Sequence, residues 1–222
     1  MFDTLTRHGA SGVSTGYEIE RSLRFNRSDS AGLTWTPSSA GNRKTWTFSC
    51  WLKRSSQHAI HSGYEGIFGT GTFMAGSSWG GIYFDNYEAI ALFDNTISQA
   101  RYTSRKFRDP SAWYHIVVYF SQTDGATKIY VNGEAETVYS TDTVGSNADG
   151  NVNNNTEHYI GRDSGGNYFD GYMAEIHFVD GQALAASNFG EYDSDTGAWV
   201  PKQYTGSHGT NGFYLNFSDN SN

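Results

Sequence analysis

The sequence predicts an all-β fold, a sandwich of antiparallel strands with jelly-roll connections. Three observations predict it. Glycine is abundant, at 26 of 222 residues, and proline scarce, at 3, so the chain has material for many turns. Aromatic residues make up 16% of the chain, and their large rings can build a core although only 37% is hydrophobic. Period-two stretches recur roughly every ten to fifteen residues, and no amphipathic helix of about twelve residues competes with them.

The elements follow in order. Residues 1–16, rich in Gly, Ser and Thr, read as an N-terminal arm; 17–222 read as a single domain without linker or repeat. "YEIERSLRFN" (17–26) is the first expected strand. "TWTFSCWLKR" (45–54) alternates, with Trp46, Phe48, Cys50 and Leu52 on one face and Thr47, Ser49, Trp51 and Lys53 on the other. Glycines frame the short strands "GIFGT" and "GGIYFD" between 63 and 84; "EAIALFD" (88–94) and "SQARYTSR" (98–105) follow. Asp109-Pro110 then breaks the chain.

"WYHIVVYFSQTDGATKIYVNG" (113–133) reads as a hairpin. Ile116, Val118 and Phe120 share one face; Trp113, His115, Val117 and Tyr119 share the other. Asp124-Gly125 makes the turn, Ile129 and Val131 alternate back, and Asn132-Gly133 turns again. Both faces of 113–120 are largely apolar, so the strand is expected to be central and covered on both sides. His115 is then a buried, hydrogen-bonded part of the scaffold rather than a catalyst. "GNVNNNTEHYIGRD" (150–163) is a polar loop entering a strand, and "YFDGYMAEIHFVDG" (168–181) a long alternating strand. "ALAASNFGEYD" (183–193) is the one expected helical turn, and "GFYLNFSD" (212–219) the last strand.

The charge balance, 15 basic against 23 acidic residues for a net −8, argues against a nucleic-acid partner, which needs a basic face. "MFDTLTRHGASG" lacks the apolar core of a secretory signal. The strongest apolar run, Trp113 to Phe120, is too short to span a bilayer. Cys50 has no partner for an internal disulfide.

Several motifs offer chemistry. "GVSTG" (12–16) matches a nucleophile elbow around Ser14, but neither a buried strand precedes it nor a helix follows. "EYDSD" (191–195) sets Glu191, Asp193 and Asp195 at alternate positions, as a glycosidase would, yet without apolar neighbours to bury them. "DGNVN" (149–153) offers Asp149, Asn151 and Asn153 as oxygen ligands for calcium outside any EF-hand pattern. The histidines, His58 and His61 included, lack a third ligand at zinc spacing. Tyr64, Trp79, Tyr83 and Tyr87 form a candidate platform for sugar stacking, set against the reading that they fill the core. The expectation is no catalytic residue and no cofactor other than calcium.

Four stretches in order, "SLRFN", "KTWTFSCWLKRS", "WYHIVVYFSQTDGATKIYVNG" and "IGRDSGGNYFDGYMAEIHFVDGQAL", resemble laminin G-like, concanavalin A-like jelly rolls. The matching positions are Trp113, His115, Tyr130, Asn132, Gly133, Ile160, Gly161, Phe169, Gly171, Met173, Glu175 and Ile176. The C-terminal "GAWVPKQYTGSHGTNGFYLNFSDNSN" is similar to the version of this domain in virion proteins of tailed bacteriophages. That resemblance implies a non-enzymatic virion structural protein: a capsid decoration, cement or head-fibre protein with a lectin-like face. It would be made in the bacterial host cytoplasm and dock on other virion proteins through the 1–16 arm, as a homo-oligomer without membrane insertion. The main alternative it implies is a tail-fibre module recognising bacterial surface glycan. A glucanase-like hydrolase is the third reading.

Overall fold

The computed structural model describes residues 17–55, 63–122, 125 and 127–218. The 1–16 arm, with Ser14, lies outside them, as do His58, His61 and Asp124.

The described strands are, in chain order, β1 (Leu23–Phe25), β2 (Leu33–Trp35), β3 (Thr45–Arg54), β4 (Glu65–Thr72) and β5 (Ala75–Phe84). Then come β6 (Ile90–Asp94), β7 (Gln99–Thr103), β8 (Tyr114–Ser121), β9 (Lys128–Val131), β10 (Glu134–Ala135) and β11 (Tyr139–Thr143). The last are β12 (His158–Ile160), β13 (Gly171–Asp180), β14 (Gly190–Tyr192), β15 (Trp199–Pro201) and β16 (Phe213–Leu215). Helix is confined, among the described residues, to 3-10 turns such as Arg27–Asp29 and Ala186–Asn188.

The first sheet runs β1-β13-β3-β8-β9-β10, with β16 also pairing β13; the second runs β11-β7-β6-β5-β4-β12-β2. Every pairing is antiparallel, as expected for the all-β sandwich. The core lies between the sheets, where Trp46 stacks on Phe120 (4.6 Å) and Phe48 on Phe68 (4.7 Å). Each such fully buried large side chain contributes about 1.5–3 kcal/mol. The alternation of β3 holds: Trp46, Phe48, Cys50 and Leu52 all point into the core. β8 is central, between β3 and β9, and buried on both faces.

One end of the sandwich is tied by ions. Arg54 and Glu65 are both buried, with Nη2 to Oε2 at 3.3 Å, and Arg27 reaches the other Glu65 oxygen at 3.0 Å. Arg54 also donates to the Phe107 carbonyl at 2.9 Å and lies 4.6 Å over the Phe84 ring.

The last strand shortens from 212–219 to Phe213–Leu215, and two other expected boundaries shift more. The first strand shrinks from 17–26 to β1, and the helical turn at 183–193 is a 3-10 turn followed by β14. The first of these two shifts follows from β13. Its register with β3 slips between Ala174 and His177, a β-bulge in which Glu175 takes a left-handed φ of 47°. Met173 and Ile176 both enter the core, so the extra residue leaves Ala174 and Glu175 on the outer face. β1 stops pairing at Leu23–Met173, just before the bulge, and β16 resumes at Ile176. Residues 17–22 therefore leave the ladder and cross the outer face instead.

Candidate functional site

The outer face of the first sheet carries a layer of polar and aromatic side chains, partly roofed by residues 184–204. Val117, Val179, Ala186 and Phe189 form its apolar patch, with Tyr130, Leu184, Trp199 and Tyr204 packed against them. Thr47 stitches the roof down, donating to Gln182 O (2.8 Å) and accepting from Leu184 N (2.8 Å).

His115 sits under this roof. The indole N–H of Trp199 can only donate, and it points at His115 Nδ1 at 2.9 Å. The other ring nitrogen, Nε2, therefore carries the proton and donates to Ser49 Oγ, also 2.9 Å. Burial lowers the His115 pKa to about 3, so the ring is neutral, and it stacks on Trp51 (4.9 Å). Asn132 accepts the His115 backbone N–H at 2.8 Å from a left-handed conformation (φ 50°). Gly133 completes that two-residue turn beneath the Trp199 ring. Among the other motif positions, Tyr130 packs in the same patch, Gly161 faces the Phe25 ring and Gly171 the Lys53 carbonyl.

Beside the roof the face opens. Glu175, projected by the bulge, accepts hydrogen bonds at Oε2 from the hydroxyls of Tyr17 and Tyr214 (2.7 Å for the latter). The two hydroxyl oxygens lie 2.8 Å apart, close enough for one to turn its proton to the other in place of the carboxylate. This trio lines a cleft of about 560 Å³, with Glu18, Glu20 and Arg21 at its rim. Burial, then Glu175, raises the Tyr17 pKa to about 12, and the same causes raise that of Tyr214, so both remain protonated donors. His177 stacks on Tyr214 (4.3 Å), and burial lowers its pKa to about 3.

A second hollow of about 340 Å³ shares Glu20 and Arg21 with the first and is walled by Trp51, Trp113 and Pro201. Trp113 is 39% exposed, with Tyr172 beside it at 6.5 Å between ring centroids. The joined clefts thus offer flat indole surface next to carboxylate, guanidinium and phenol groups. That combination suits a ligand with one apolar face and several hydroxyls.

The candidate platform is only partly assembled. Tyr64, Trp79 and Tyr83 do converge, on the outer face of the second sheet. Phe73, at the tip of the β4–β5 hairpin, covers them, 4.1 Å from Tyr64, 4.9 Å from Trp79 and 4.8 Å from Tyr83. Tyr83 is 1% exposed and has no ring face left for a sugar, which corrects its place in the platform. Tyr87, 68% exposed, stands apart in the β5–β6 turn near Lys106.

The calcium candidates do not fit a shared ion. Asn151 donates to Asp94 (2.8 Å) and accepts from Thr96 (3.0 Å), while Asn153 donates to Asp180 (2.6 Å) and accepts from Asn211 (3.0 Å). Both carboxamide oxygens are taken by protein donors, in two different networks, and Asp149 is exposed. No cluster of three His, Cys, Asp or Glu side chains among the described residues is placed to hold a metal. In "EYDSD", Asp193 accepts from Thr196 N and Oγ1, both 2.7 Å, and these bonds lower its pKa. A general acid needs the opposite shift. Glu191 pairs loosely with Lys202 at 3.9 Å.

Glu175, Tyr17 and Tyr214 were not singled out as a site by the sequence. The bulge that unites them leaves no mark on the alternation of 168–181.

A family model for the concanavalin A-like lectin/glucanases superfamily matches residues 27–188. No curated protein sequence matches the chain. Among solved structures, a proposed carbohydrate binding protein from Bacteroides ovatus is similar at 19% identity and TM-score 0.51, over 69% of this chain and 41% of that one. The heptameric SAP-like pentraxin of Limulus polyphemus is similar at 16% and 0.53, over 74% and 77%. The sialidase of Trypanosoma rangeli is similar at 16% and 0.53, over 77% and 27%. The chain thus spans under half the length of the Bacteroides and Trypanosoma proteins. At these identities the likeness is one of fold.

Proposed function

This chain belongs to the concanavalin A-like lectin/glucanases superfamily, and from that premise we propose that it is a non-enzymatic structural protein of a phage virion whose lectin-like face binds carbohydrate. The observation that carries the carbohydrate reading is the joined cleft, in which exposed Trp113 lies beside Glu20, Arg21 and Pro201. A pyranose can lay its C–H face on the indole while its hydroxyls bond the charged rim. The Bacteroides neighbour supports the same reading by its description.

The virion part rests on the resemblance of the C-terminal stretch. That stretch supplies Trp199 and Pro201 to the roof and Tyr214 to the cleft, so the phage-like segment and the binding face are one structure. As a capsid decoration protein it would attach through residues 1–16 as a symmetric oligomer.

Binding to a glycan array, with loss on Trp113→Ala at unchanged melting temperature, is the expected result. Equal binding by the variant overturns the cleft assignment. Attachment to tailless capsids, abolished by deleting 1–16, is expected for decoration. Attachment only to isolated tails would turn the assignment to the tail-fibre reading.

A further inference from the structure

On the other side of the roof lies another cleft of about 340 Å³, floored by Trp199 and Tyr130 and walled by Tyr192, with Glu191 and Lys202 at the rim. Its aromatic surface is open and stiff. Tyr192 is 51% exposed and stands edge-on to Trp199, 4.9 Å between centroids. Its hydroxyl donates to Glu134 at 2.9 Å, which fixes the ring. Trp199 is closely packed: its indole lies so near Gly133 and Gly190 that an added Cβ would come within 2.4 or 2.5 Å of it, and its N–H is bonded to His115. An aromatic surface fixed before binding loses little entropy when a ligand lands on it.

The two aromatic clefts are joined through the backbone of β15. Pro201 walls the Trp113 cleft and its neighbour Lys202 the Tyr192 cleft. Pro201 ends β15 and Lys202 follows it directly, so the two clefts flank the same stretch of chain. We propose that they are two subsites for one extended saccharide, which crosses the strand and stacks one unit on Trp113 and another on the Tyr192–Trp199 corner. This rests on the carbohydrate reading above and adds to it a ligand class: a chain of sugars rather than a single terminal unit.

Two linked subsites make the second contact intramolecular, so affinity should climb with chain length until both are filled. The test is calorimetry and array binding of the whole protein with neutral glucan, mannan and galactan fragments of one to six units. Fragments long enough to reach both clefts are expected to bind at least about tenfold tighter than single units. Tyr192→Ala should abolish that length dependence while retaining single-unit binding, and Tyr192→Phe, which keeps the ring, should preserve it. Length-independent affinity, or a Tyr192→Ala protein as length-sensitive as the parent, overturns the second subsite and leaves the Trp113 reading standing. Failure to bind any fragment overturns both.

Discussion

Trp199 of β15 donates its indole N–H to Nδ1 of His115 on β8, 2.9 Å apart and 84 residues away in the chain. The bond locks the C-terminal roof to a central strand of the sheet. It also leaves His115 no free nitrogen, since Nε2 serves Ser49. The histidine is a joint between layers, and the bond from Trp199 needs the neutral ring, because protonation would remove the Nδ1 lone pair.

Trp199→Phe keeps an aromatic ring but removes the donor. A buried Nδ1 left without a partner costs about 1–3 kcal/mol, beyond the packing lost with the smaller ring. Chemical denaturation should show that loss in the midpoint with the slope unchanged. A variant as stable as the parent would mean the bond contributes nothing.

Acid should weaken the fold in a defined window. Burial lowers the pKa of His115 and His177 to about 3 and of His158 to about 4, from an ordinary 6.5. Below pH 6.5 the unfolded chain takes up protons at these sites that the folded chain refuses. Stability is therefore full above that value and drains as pH falls toward the folded values. Asp94 acts oppositely: burial raises its pKa from 3.8 to about 6, so the folded chain gains on unfolded as pH falls through that value. Burial also lowers the pKa of His208 and raises that of Glu136, so four groups oppose two, and melting temperature should decline between about pH 7 and 4.5, less steeply in His115→Gln. A flat profile would contradict the buried neutral histidines.

Glu65→Ala would strand Arg54 in the core with its charge uncompensated. Removing one partner of a buried pair costs about 3–5 kcal/mol. Adding Arg54→Met should recover much of the loss, as an apolar side chain can fill the space over Phe84. If the single variant unfolds at the parent's denaturant midpoint, the pair is not the tie between sheets that its burial suggests.

Calcium should leave the melting temperature where it is. The Asn151 and Asn153 oxygens each already accept from a protein donor, in two separate networks. A rise in melting temperature that grows with calcium concentration would reveal a site of other composition.

Much of the fold was legible from local pattern. The alternation of Trp46, Phe48, Cys50 and Leu52 named the core face of β3. The two apolar faces of 113–120 placed β8 in the middle of its sheet. Asn132-Gly133 announced a turn that needs two left-handed residues, and both take positive φ. The candidate site was harder to see. Period-two reading of 168–181 cannot show an inserted residue, because a bulge exists only relative to the partner strand. Glu175 and the departure of 17–22 from the ladder were hidden for that one reason.

Alternation, turn chemistry and aromatic content by themselves determined the all-β sandwich, because they act between neighbours in the chain. Which rings stay open was decided only in three dimensions. Tyr83 and Tyr192 look alike in sequence, yet Phe73 from a folded-back hairpin covers the first, while the second stands clear at the edge of the roof. Exposure depends on what packs above a residue, and that neighbour is supplied by a distant part of the chain.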